Sequence, residues 1–143
     1  MRHFGETLGT HLNGGEIIEL IGDVGAGKTT LVRGLAVGMG VTETVQSPSF
    51  TISRVYDAKE GMRLIHYDFY RLNDAGIMAD ELSDSIKDPG TVTVIEWASA
   101  IKHVLPEDRL TITIQAAGGS ETARLLEIKS SGDKSMRLAE QLA

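Results

Sequence analysis

The run Ile17-Ile18-Glu19-Leu20-Ile21, followed at once by Gly22-Asp23-Val24-Gly25-Ala26-Gly27-Lys28-Thr29, decides the fold class of this chain. The first part is short and mostly apolar, as expected of a strand buried in a sheet. The second matches G-x-x-x-x-G-K-[ST] at every fixed position. Beyond it, Leu31, Leu35, Val37 and Met39 suggest a helix that closes near Gly38 and Gly40. Strand, glycine-rich loop and helix are the context this motif requires, and together they imply a P-loop. Glycines let the backbone wrap closely around phosphate oxygens, and successive N–H groups form an anion nest. The helix that follows directs its positive end at the same phosphates. Lys28 would neutralise the β- and γ-phosphates, and the Thr29 hydroxyl would bind Mg²⁺. Gly22, Asp23, Val24, Gly25, Ala26, Gly27, Lys28, Thr29 and the adjacent Thr30 are thus the candidate nucleotide-binding residues.

Upstream, Phe4, Leu8 and Leu12 recur at helical spacing, and Asn13-Gly14-Gly15 ends that helix. Downstream, Val41–Phe50 has little periodicity, contains Pro48 and reads as a loop. Thr51–Tyr56 and Met62–Tyr67 read as strands whose short connection favours an antiparallel hairpin. Asp74–Ser85 has a helical pattern with Asp74 as a possible cap. Thr91–Ile95 is a buried-strand pattern behind the Pro89-Gly90 turn. Leu110–Gln115 and Ala123–Lys129 alternate as a second hairpin around Gly118-Gly119, and Asp133–Leu142 reads as a terminal helix. The expectation is an α/β fold, a single P-loop NTPase domain with a mixed parallel and antiparallel sheet flanked by helices.

The length, 143 residues, suits one compact domain. No cysteine is present, so a disulfide scaffold, a thiolate zinc site and a cysteine nucleophile are excluded. The net charge of −6 runs against a chain that grips nucleic acid by itself. Any nucleic acid involved is expected to be held mainly by a partner. No stretch has the length of a transmembrane helix, and Met1–Glu6 lacks the apolar core of a signal peptide. A soluble, cytoplasmic protein with no membrane partner is expected.

A P-loop site needs an acid that positions the metal or its water, commonly at the end of a second buried strand. Glu96 closes Val92-Thr93-Val94-Ile95 and fits that place as a metal-binding and catalytic candidate; the alternative is a carboxylate in solvent. Asp68, after Leu64-Ile65-His66-Tyr67, fits two readings equally. It either orients the attacking water or joins the metal shell, or it makes a turn at the loop entry. His66 reads as a packed strand residue, and Arg71 as a salt-bridge partner of Asp68 or Asp74 ahead of a phosphate contact. No Asn-Lys-x-Asp base-reading motif occurs, so ATP is preferred over GTP. The arginines are dispersed rather than gathered in a lid, which places a small-molecule kinase second and a non-hydrolysing ATP-sensing adaptor beside it.

The P-loop, then Ser47-Pro48-Ser49-Phe50-Thr51, then His66-Tyr67-Asp68-Phe69-Tyr70-Arg71-Leu72, then Ile95-Glu96-Trp97 occur in an order that resembles the TsaE (formerly YjeE) family. These are ATPases of bacterial tRNA threonylcarbamoyladenosine biosynthesis, and the resemblance spans Leu8 to about Leu105. It implies ATP and Mg²⁺ as cofactors and the TsaB–TsaD complex as partner. That pair transfers threonylcarbamoyl to adenosine 37 of tRNAs reading ANN codons, and the ATPase resets it between turnovers. By the same resemblance Lys28 and Thr29 bind phosphate and Mg²⁺, Glu96 is a metal ligand, and Asp68 is the acid of a switch-like segment. Ser47–Thr51 resembles a second mobile loop. Trp97 either lies near the nucleotide or is a core aromatic. Ser49 departs from the family's usual threonine, and Ala98 from its proline or serine. No arginine finger is identified, so slow hydrolysis is expected from the isolated chain.

Overall fold

The computed structural model describes residues 1–23, 25–48, 52–70, 76–119 and 123–142. The elements follow in the order α1 (Arg2–Thr10), β1 (Ile17–Ile21), α2 (Lys28–Gly38), β2 (Ser53–Asp57), β3 (Arg63–Asp68) and α3 (Gly76–Lys87). Then come β4 (Thr91–Glu96), β5 (Leu110–Ala116), β6 (Arg124–Ser130) and α4 (Asp133–Leu142). Short 3₁₀ turns at Lys59–Gly61 and Ala98–Val104, which the sequence reading lacked, join β2 to β3 and follow β4.

The six strands form one sheet in the order β2-β3-β4-β1-β5-β6. The inner four, β3-β4-β1-β5, are parallel, while β2 and β6 pair antiparallel at the two edges. Both hairpins and the mixed sheet are as expected. Strands in the middle of such a sheet are covered on both faces, so alternation is lost: every residue of β4 is buried. At the edge, β6 alternates between half-buried and exposed positions.

One face of the sheet carries Ile18, Leu20, Leu64, Val92, Val94 and Ile112, packed with Leu8 of α1, with Leu31, Val32 and Leu35 of α2 and with Leu138 of α4. The other carries Ile17, Ile65, Tyr67 and Ile95 against Leu82 of α3 and Ala98 and Ile101 of the second 3₁₀ turn. The helix expected over Phe4–Leu12 lies two residues earlier, because Leu12 is buried beyond the helix end. The helix expected over Asp74–Ser85 runs to Lys87, and its proposed cap Asp74 lies outside the described residues.

Helices α1 and α2 approach through glycines. A methyl on Gly34 would lie 2.1 Å from the Arg2 carbonyl oxygen, and one on Gly9 2.2 Å from that of Leu35. No side chain fits at either place. Among the described residues, no helix is long and apolar enough to cross a membrane.

Candidate functional site

The site forms where three adjacent parallel strands end at one level. In the ladder Leu20 of β1 stands opposite Glu96 of β4, and Glu96 opposite Asp68 of β3. Gly22 leaves β1 at that level and begins the loop into α2. Ligands of open α/β sheets bind outside these carboxyl ends. Side chains alternate along a strand, so Leu64, His66 and Asp68 share a face with Val92, Val94 and Glu96, the face that α2 covers.

Asp68 and Glu96 are therefore neighbouring carboxylates, 5% and 3% exposed. Lys28, in the first turn of α2, is buried close to them. Burial holds its ammonium below the ordinary lysine range, and the carboxylates of Glu96, Asp68 and Asp23 oppose that shift. The ammonium donates to the Gly22 carbonyl oxygen and lies 3.9 Å from the centre of the Trp97 ring. The loop turns into α2 through Gly27, whose φ of 110° is closed to ordinary side chains.

Asp68 makes the turn that one of its readings required. Its Oδ1 accepts the Tyr70 N–H at 3.0 Å, which makes a turn, and its carboxylate also stands beside Glu96. His66 is wholly buried, as a packed residue should be, yet its Nε2 lies 2.5 Å from Glu96 Oε2. Trp97 is half-buried outside both core clusters, with its ring over Lys28 and 4.9 Å from that of Tyr70. Thr29 is half-buried, whereas Asp23 and Thr30 are exposed. Val24, Ser49, Phe50, Thr51 and Arg71 lie outside the described residues.

Two contacts were not legible in the sequence. Arg124 donates from Nε to the Ala26 carbonyl oxygen at 3.2 Å, so the second hairpin reaches the glycine-rich loop. Residues 98 positions apart give no local signal of such a contact. Ile52 has a φ of 69°, and its carbonyl accepts the Asp68 N–H at 2.8 Å. Trp97, directly after Glu96, has a φ of 56°. Left-handed backbone is uncommon for such residues and concentrates at functional sites. Here it flanks both acids.

A cleft of about 400 Å³ lies on the Arg124 side of the loop, lined by Gly22, Gly25, Ala26, Gln115 and Arg124. A second, of about 230 Å³, lies on the Trp97 side, against Asp23, Ser99 and Lys102. Among the described residues no three His, Cys, Asp or Glu side chains converge to cage an ion. One threonine hydroxyl and one or two carboxylates suit an ion that takes its other ligands from phosphate and water, as Mg²⁺ does.

The sheet, the loop and the acids at the strand ends define an α/β protein of the P-loop fold class. A sequence model of the family described as "Threonylcarbamoyl adenosine biosynthesis protein TsaE" matches residues 1–125. The chain is 37% identical over 133 residues to the tRNA threonylcarbamoyladenosine biosynthesis protein TsaE of Streptomyces coelicolor, covering 92% of this chain and 90% of that one. It is 38% identical over 131 residues to the protein of the same name from Bacillus subtilis, covering 90% and 78%. The crystal structure of Bacillus subtilis YdiB superimposes with a TM-score of 0.78 at 32% identity, covering 99% of this chain and 85% of that one. The chain belongs to the TsaE family of tRNA threonylcarbamoyladenosine biosynthesis.

Proposed function

We propose that this protein binds ATP with Mg²⁺ and hydrolyses it to ADP and phosphate, acting on the TsaB–TsaD complex so that the transferase turns over repeatedly. The observation that carries the reading is the burial of Lys28 among Glu96, Asp68 and Asp23 at the glycine-rich loop. A cation partly stripped of water at the first turn of a helix is arranged to receive phosphate. In this reading Lys28 leaves the Gly22 carbonyl for the β- and γ-phosphate oxygens, and the loop N–H groups hold the remaining charge. Thr29 and Glu96 hold the metal, and Asp68 or Glu96 orients the water for in-line attack. Bound Mg²⁺ supplies neutralisation of the charge that develops on the transferred group. The excess of 20 acidic over 14 basic side chains supports a division of labour in which the partners hold the tRNA.

The test is phosphate release from ATP by the pure protein, alone and with TsaB–TsaD. Slow release alone and clear stimulation by the pair are expected. Equal rates in both conditions would remove the partner assignment. A phosphorylated product other than inorganic phosphate would instead identify a kinase, and nucleotide-dependent docking without any phosphate release an adaptor.

A further inference from the structure

The proposed function leaves one buried polar side chain at the site without a task. We propose that His66 is a positioning residue, which donates its Nε2 hydrogen to Glu96 Oε2 and so holds that carboxylate in the orientation in which it serves the metal. The inference rests on the metal-binding role given to Glu96 above.

His66 is 0% exposed and 2.5 Å from Glu96, itself 3% exposed. An ionised carboxylate only accepts hydrogen bonds, so Nε2 carries the hydrogen. The other ring nitrogen, Nδ1, is buried and has no hydrogen-bond partner among the described residues. The side chain therefore spends its polar capacity on Glu96. Its own face of the sheet is apolar: Leu64 precedes it on β3, and Val94 stands opposite it on β4. A histidine that served packing alone would be a poor choice there, because a buried polar atom left unpaired costs about 1–3 kcal/mol. Glu96, by contrast, gains a fixed partner. The terminal torsion of a glutamate is broad and two-fold, and a bond to one oxygen removes most of that freedom. Residues that hydrogen-bond a ligating carboxylate change metal affinity by about 10–100-fold when removed.

The experiment measures Mn²⁺ binding in place of Mg²⁺, by electron paramagnetic resonance, to the full chain saturated with ADP. The His66→Leu protein should fold, with a thermal midpoint below that of the parent because the buried Glu96 carboxylate loses its donor, and should bind ADP without metal unchanged. Its Mn²⁺ affinity should fall by about 10–100-fold. His66→Gln, whose amide nitrogen reaches the place of Nε2, should retain most of the affinity. Wild-type Mn²⁺ affinity in His66→Leu, or equal losses in the Leu and Gln variants, would overturn the proposal. Glu96→Gln separates the two layers of inference. If it binds Mn²⁺ as tightly as the parent, the metal reading of Glu96 falls and the role of His66 with it. If it binds weakly while His66→Leu does not, only the role of His66 falls. Should His66→Leu fail to fold, His66→Asn replaces it, since its amide reaches only the place of Nδ1. Binding by the Gln variant tighter than by the Asn variant supports the proposal, and equal binding refutes it.

Discussion

Lys28 is an ammonium group set where burial disfavours its charge, and the nearby carboxylates recover only part of the loss. A phosphate chain would supply the missing counter-charge, so removing Lys28 should hurt ligand binding far more than folding. Lys28→Ala is expected to weaken ATP binding by at least about 1.5–3 kcal/mol, the worth of hydrogen bonds to a charged group, with the thermal midpoint little changed. Titration calorimetry checks it, and parent-like affinity would contradict the phosphate role. Glu96→Ala should act differently, lowering the hydrolysis rate by about 100-fold while ATP binding changes less. Unaltered hydrolysis in that variant would end its assignment as metal ligand. At this scale the sequence was informative wherever chemistry demands a residue type at a set spacing, as from Gly22 to Thr29. It read His66 only as a packed residue and was silent on its bond to Glu96, which arises because both side chains emerge on one face of two paired strands.

Elements hold this arrangement in two ways that their own residues do not announce. The first is the glycine contact of α1 with α2. In an isolated helix Gly34→Ala would add about 1 kcal/mol of stability. Here the new methyl would meet the Arg2 carbonyl oxygen at 2.1 Å and the Glu6 nitrogen at 3.1 Å, both backbone atoms of α1 that cannot turn aside. Overpacking wins, and a net loss of about 1–3 kcal/mol is expected in denaturant unfolding. A gain would mean that α1 is free to shift. The second is the start of α4, capped from a distance. Asp108, just before β5, accepts the N–H groups of Ser135 at 2.9 Å and Lys134 at 3.0 Å. Burial pushes the Asp108 carboxyl up, and these donors outweigh it, holding it below the ordinary carboxylate range. Asp108→Ala should cost about 1 kcal/mol at neutral pH. A carboxyl with a depressed folded-state pKa stabilises above its unfolded value and loses that stabilisation as pH falls through the folded one. The gap between parent and variant should therefore close in acid; a gap constant from neutral pH to acid would rule out the capping role. The helix over Asp133–Leu142 was readable from its pattern, whereas its cap, 25 or more residues away, was not.

Across the whole molecule, Glu19 shows how distant parts of the chain depend on one another. It sits in the middle of β1 at 3% exposure, in a stretch that otherwise reads as apolar, and pairs with Arg109 Nε at 3.0 Å. Arg109→Leu would leave that carboxylate buried and alone. The expected cost is about 3 kcal/mol, the low end for a broken buried pair because Arg109 is partly exposed. The double change Glu19→Leu with Arg109→Leu should recover most of it, and a double-mutant cycle of unfolding free energies measures the recovery. Additive losses would show that the pair is not coupled. The sequence by itself determined the class of the fold, the loop between β1 and α2, both hairpins and the acids that end β3 and β4. Each of these is written in local spacing, in turn residues or in a motif whose chemistry admits few alternatives. Only the tertiary structure decided that Asp68, Glu96 and Lys28 meet, that His66 lies against Glu96, and that Trp97 and Arg124 come to the loop. Strand order and register bring those groups together, and both are set by which faces bury each other over the whole chain, not by any window of it.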